Sequence, residues 1–161
     1  MVVEPKPMKG AKALLFERLT DQDPAIPLES QPFRSYDVAS VRESVRTELV
    51  RLLNTRCPLP VPAKEEGRVL LDYGIPDFSY MVAASPTDVE RLALAVERAI
   101  AAFEPRLRYV HVVVKPGKNS QTMISGSITG IMAVGEVNEP VSFPLLLSMK
   151  NGGAEIQEVA G

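Results

Sequence analysis

FEPRLRYVHVVV, residues 103–114, is where the chain changes its hydrophobic period. Upstream, Val89, Leu92, Val96, Ile100 and Phe103 step by three and four, the spacing of one helical face. Downstream, LRYVHVVV is dense in β-branched and aromatic residues and reads as a strand. Glu104, Pro105 and Arg106 stand between the two. A residue before proline is disfavoured in helical geometry, so the helix should end at Glu104, and Pro105 then fixes φ as Arg106 enters the strand. The result is a rigid corner holding two opposite charges near each other. As a purely local feature it is an ion pair worth ~0–1 kcal/mol if exposed, and composition alone favours that reading. The sharper reading is a docking element whose charges meet a partner.

Toward the N-terminus, Ser85 caps this helix and Pro86 takes its first position, where a missing N–H costs little. An earlier helix is predicted over 37–54. Its stripe is Val38, Val41, Val45, Leu49 and Leu52, and Asp37, or Ser40 with Glu43 in a capping box, can start it. Pro58, Pro60 and Pro62 end it. RVLLDYG suggests a brief strand over 69–72. YGIPDFS reads as a tight turn in which Tyr73, Ile75 and Phe78 pin the chain to the core, while Gly74, Pro76 and Asp77 shape it. Residues 1–35 read as an extension with a short amphipathic helix over 11–19, and residues 36–161 as a single α+β domain.

Toward the C-terminus, QTMISGSITGIMAV sets Ile124, Ile128, Met132 and Val134 against the mainly polar Gln121, Ser125, Ser127 and Thr129. Gly126 and Gly130 share a face and mark a bulge or a close backbone approach. VSFPLLLSMK supplies a third strand and AEIQEV a short fourth, with KPGKNS and KNGG as hairpin connections. Helices first and strands afterwards predict an α+β fold: an antiparallel meander of about four strands with the two main helices packed on one face.

The totals narrow the function. Among 161 residues, 18 basic and 20 acidic side chains leave a net charge of −2, no general attraction for nucleic acid or anionic membrane. No apolar run approaches the roughly 20 residues that span a bilayer, and no secretory signal is read at the N-terminus, so the expected location is cytoplasmic. One cysteine, Cys57, and one histidine, His111, offer neither an internal disulfide nor a zinc cluster, and no cofactor is expected. His111 reads as a partly buried structural residue and Cys57 as non-reactive. KPGKNSQ lacks the spacing of a phosphate-binding loop. Glu65, Glu66, Asp72 and Asp77 could supply the paired carboxyls of a glycosidase, but among 20 acids an accidental pair is expected, and there is no tryptophan to line a sugar cleft.

LLNTR (52–56), DYGIPDF (72–78) and FEPRL (103–107), in this order and spacing, resemble the family of the type VI secretion baseplate subunit TssE and of the lysozyme-named wedge protein of contractile phage tails. VNEPVSF (137–143) and the N-terminal LLFERLTD are similar to its pattern as well. Cys57 departs from it, standing where a second basic residue is expected after the LNTR segment. The resemblance implies a non-enzymatic structural subunit that sits beside TssF and TssG and carries the first sheath ring. Its alternatives are a wedge component of a contractile phage tail or phage-derived particle and, least favoured, a peptidoglycan hydrolase. It implies partner-binding roles for Glu104, Pro105, Arg106 and Leu107, and for Leu53, Asn54, Thr55 and Arg56. It further implies a baseplate docked to a membrane complex, without direct membrane insertion. An open meander presents unpaired backbone groups at its edges. The resemblance implies that one such edge receives sheath strands, with AEIQEV a candidate and the choice of edge not fixed by sequence.

Overall fold

Asp37 starts the first helix: its carboxylate accepts the Ser40 N–H at 2.8 Å, satisfying a donor that the helix itself leaves open. The computed structural model describes residues 11–12, 35–58, 68–116, 122–135 and 137–157. The described elements are β1 (Ala11–Lys12), β2 (Ser35–Tyr36), α1 (Val38–Asn54), a single 3-10 turn (Leu70–Asp72), α2 (Pro86–Phe103), β3 (Leu107–Pro116), β4 (Met123–Val134), β5 (Val137–Ser148) and β6 (Ala154–Ile156). Ser85 caps α2 as expected, its hydroxyl accepting the Asp88 N–H, with Pro86 following.

The main sheet is antiparallel in the order β3-β4-β5-β6, and β1 pairs separately with β2. β4 and β5 are in register over their whole lengths, from Met123 opposite Ser148 to Val134 opposite Val137. Alternation puts Ile124, Ile128 and Met132 of β4, and Phe143, Leu145 and Leu147 of β5, on the face that meets the helices. From α1 come Val45, Leu49 and Leu53, and from α2 Leu92, Val96 and Ile100, all in the same core. Burying each such side chain stabilises the fold by roughly 1.5–3 kcal/mol. The fold is α+β, as the order of periods predicts.

Four local expectations need correction. The segment 69–72 is not a strand: the Asp72 carboxylate accepts the Val69 N–H, closing a 3-10 turn that leaves Leu70 and Leu71 exposed. The third strand starts at Val137, not Val141, so Pro140 lies inside it. Proline is tolerated in a strand where its missing N–H faces away from the paired neighbour. His111 is exposed, not partly buried, because it falls on the outward face of β3. Ala11 and Lys12, where a short helix is expected, are extended and pair with Tyr36 and Ser35; the rest of that predicted helix lies outside the described residues, as do Glu65 and Glu66.

Candidate docking site

At the end of α2 the chain turns through Glu104 and Pro105 into β3. The Glu104 N–H still reaches the Ile100 carbonyl at 2.8 Å, and the Leu107 N–H returns to the Glu104 carbonyl at 3.0 Å. The Glu104 carboxylate takes the Arg106 backbone N–H at 3.1 Å, its Nε at 2.7 Å and its Nη2 at 2.7 Å. Arg106 Nη1 donates in turn to the Ser44 hydroxyl of α1 at 2.7 Å. A guanidinium gripped through two nitrogens is fixed in plane as well as in position. The side chains are only 4% and 20% exposed for Glu104 and Arg106 respectively. The solvated corner that the sequence suggests is thus a largely buried ion pair, tied to a residue 62 positions away. Pro105 is the exposed apex, and Leu107 is buried.

The other two motif segments are laced together. Cys57 N–H donates to the Ile75 carbonyl at 3.1 Å, and Ile75 N–H to the Thr55 carbonyl at 3.0 Å, forming a short parallel bridge. Gly74 makes this approach possible: its φ is 114°, and a Cβ there would lie 2.4 Å from the Thr55 carbonyl oxygen. Arg56 lies 4.8 Å from the Phe78 ring centroid and donates to the carbonyls of Leu53 and Gly152, holding the C-terminal end of α1 against the β5–β6 hairpin. The Asn54 side chain exchanges two hydrogen bonds with the Ala154 backbone. The Thr55 hydroxyl donates to the Arg51 carbonyl, while Leu53 and Phe78 are fully buried.

Tyr73 joins the two groups. Its ring meets that of Phe103 edge-on at 5.2 Å, beside Glu104. Burial raises the Tyr73 phenol above its ordinary value, with the Glu48 charge adding to the effect. Arg68 covers the same ring, 5.9 Å from the Phe103 centroid, and its Nε and Nη1 are buried without a hydrogen-bond partner. The three motif segments therefore form one connected strip, from Arg56 and Phe78 through Tyr73 and Phe103 to Glu104 and Arg106. Its ends are well apart: Ser44 and Asn54, which anchor them on α1, are separated by about 15 Å of helix.

The chemistry elsewhere is modest. Asp77 accepts from the Ser79 N–H and hydroxyl, which holds its carboxyl below the usual range, the opposite of what a glycosidic acid requires. Asp72 is occupied in its turn. Burial pushes the Cys57 thiol up, and the nearby Arg68 and Arg56 charges only partly oppose this. Among the described residues no group of His, Cys, Asp and Glu could hold a metal ion, and no helix is long and apolar enough to cross a membrane.

A family model described as "Baseplate wedge protein gp25" matches residues 39–135, which take in both helices, all three motif segments and the first hairpin. The chain belongs to the baseplate wedge protein gp25 family. The member described here thus has a structural baseplate role, and the buried corner and laced turn lie within its matched part. A chain of a solved structure, "The baseplate complex from the type VI secretion system", is similar at 18% identity, covering 75% of this chain and 97% of that one, with a TM-score of 0.47. Comparison with curated proteins gives no match. Sequence reasoning located the motif segments but missed Ser44 and Tyr73 as the residues that connect them. Ser44 carries no local signal, since a serine inside a helix announces nothing about a partner 62 positions away.

Proposed function

We propose that this wedge-family protein is the TssE subunit of a type VI secretion baseplate, non-enzymatic, joining TssF and TssG to the first sheath ring. The observation that carries the reading is the family match across the three motif segments, which meet in one strip ending at Glu104, Pro105 and Arg106. A partner helix meeting this corner would find an exposed proline and an arginine whose orientation is already fixed, so little side-chain entropy remains to be lost on docking. Leu53, Asn54, Thr55 and Arg56 serve the same interface indirectly, by setting where the 73–78 turn stands. The sheath meets an edge of the sheet, and the baseplate works on the cytoplasmic side of a membrane complex.

Co-purification with TssF and TssG tests the corner. Pro105→Ser changes the exposed apex and Arg106→Lys keeps the charge but loses the fork, and both should weaken capture while the thermal midpoint stays close to wild type for Pro105→Ser. Folded variants that bind as well as wild type would remove the docking role. The purified protein should leave cell walls intact in a turbidity assay; glycan cleavage that disappears in the Asp72→Asn/Asp77→Asn double variant would make it an enzyme. The family model fits a phage-tail wedge subunit equally, and capsid and terminase genes beside the coding sequence would decide for that reading.

A further inference from the structure

Tyr109 is aimed by its backbone and not by packing. The β3–β4 register slips by one residue between Arg108 and His111, and Tyr109 takes a φ of 53°, a state that bulky side chains rarely enter. A bulge of this kind turns a side chain out of the alternation of its strand. The ring so turned is 84% exposed, lies outside the hydrophobic core and makes no hydrogen bond among the described residues. A strained residue that contributes no folding contact marks a place held for another purpose.

The ring lines an open groove of about 560 Å3 between α2 and β3. One wall is helical: Leu94, Arg98 and Ala101 step by four and three, an exposed face of α2 turned away from its buried stripe. The other wall is the start of β3, from Leu107 to Val110. Arg98 and Arg108, one from each wall, are exposed, and neither has an ion pair or hydrogen bond among the described residues. The carboxylate on the helical wall is already engaged, since Glu97 accepts the Val112 N–H at 3.1 Å and lies 3.4 Å from His111 Nδ1. The groove thus offers two unspent positive charges between two apolar surfaces, Leu94 and the Tyr109 ring.

We propose that Tyr109 anchors a docking surface for an acidic segment of a partner protein. This surface is separate from the Glu104–Arg106 corner, whose charges are tied to each other and to Ser44. The partner's carboxylates meet Arg98 and Arg108, and one of its apolar side chains enters between Leu94 and the Tyr109 ring. Tyrosine and arginine are the side chains that most often dominate such contacts, the ring because it brings a large area with few rotatable bonds. Recognition runs through side chains, because the slipped register leaves no continuous ladder at 109–110. A second copy of this chain does not fit the surface, because a two-fold contact would set these arginines against their own counterparts.

A photo-crosslinking phenylalanine derivative in place of Tyr109, in the full chain made in its native cells, tests the surface. The captured peptide should be rich in Asp and Glu. The same derivative in place of Leu94, on the facing wall, should capture the same peptide, and it carries the test alone if the Tyr109 replacement does not fold. Arg98→Glu combined with Arg108→Glu should cut capture roughly tenfold, whereas Arg98→Lys combined with Arg108→Lys should keep most of it. Capture no stronger than from a probe at Tyr80, itself 69% exposed, would overturn the proposal. So would capture that ignores the charge reversal, a peptide without acidic residues, different peptides from the two walls, or a product with a second copy of this chain.

Discussion

Tyr109 and Gly130 face each other across an irregularity in the β3–β4 ladder. The register passes from Arg108 opposite Ile131 to His111 opposite Thr129, so Tyr109 and Val110 together oppose Gly130. Tyr109 takes a φ of 53°, the left-handed region that a bulky side chain rarely enters, and is 84% exposed. That backbone state costs about 1–2 kcal/mol for a residue other than glycine, and glycine returns roughly half of the gain as lost chain entropy. Tyr109→Gly should therefore be neutral or stabilising by up to about 1 kcal/mol, and Tyr109→Val clearly worse than either. Urea midpoints would measure it. A large loss in the glycine variant would mean that the tyrosine ring contributes to folding in spite of its exposure.

Gly126 answers a different constraint. Its φ is ordinary, but a Cβ there would lie 2.3 Å from the Val113 carbonyl oxygen and 2.8 Å from a Val114 methyl. The close approach expected from sequence is thus that of the neighbouring strand. Gly126→Ala should cost about 1–3 kcal/mol through forced backbone movement, and Gly130→Ala less, since its tightest contact is 3.0 Å. Equal costs for the two would contradict this account.

Glu104→Ala should lower stability by about 3 kcal/mol, because it removes the carboxylate that accepts from the Arg106 backbone N–H, Nε and Nη2 in a mostly buried place. Glu104→Gln should lose less, since one acceptor remains. Chemical denaturation checks both, and a loss below about 1 kcal/mol in the alanine variant would return the corner to the class of solvated ion pairs.

Acid should loosen the start of α1 before the core. Hydrogen bonds from Ser40 hold the Asp37 carboxyl below the usual range. A carboxyl depressed in the folded state adds stability that is fully present above its unfolded value of about 3.9 and is lost as pH falls through its lower folded value. The protection of the Ser40 amide, taken relative to its intrinsic exchange rate at each pH, should therefore fall below about pH 4, and Asp37→Asn, which can still cap, should flatten that dependence. A fall of equal size in Asp37→Asn would assign the effect to other carboxyls.

Both helices could be placed from sequence because their stripes and caps are local: Asp37, Ser85 and Pro86 need no tertiary information. The meander was legible for the same reason, through alternation and the Asn151-Gly152 turn. Leu70 and Leu71 misled, since two adjacent leucines read as a buried strand until the Asp72 side chain is seen folding back to Val69. The third strand begins four residues before VSFPLLLSMK, with Pro140 inside it, because a proline interrupts a ladder only where its missing N–H faces a paired neighbour. The burial of Glu104 was illegible, since the residue that completes its network lies on another helix.

The contacts of α1 also govern when the fold can be completed. Arg42 reaches Ser142, Asn54 reaches Ala154 and Arg46 reaches Ile156, separations of 100, 100 and 110 residues. During synthesis at about 5–20 residues per second, α1 emerges roughly 5–20 s before the strands that hold it. Through that interval its apolar stripe has no sheet to cover it. Contacts this distant in sequence also slow the search for the native arrangement. The newborn chain is therefore most prone to aggregation late in translation, and removal of β6 should lower the yield of folded protein more sharply than the loss of three residues of strand would suggest.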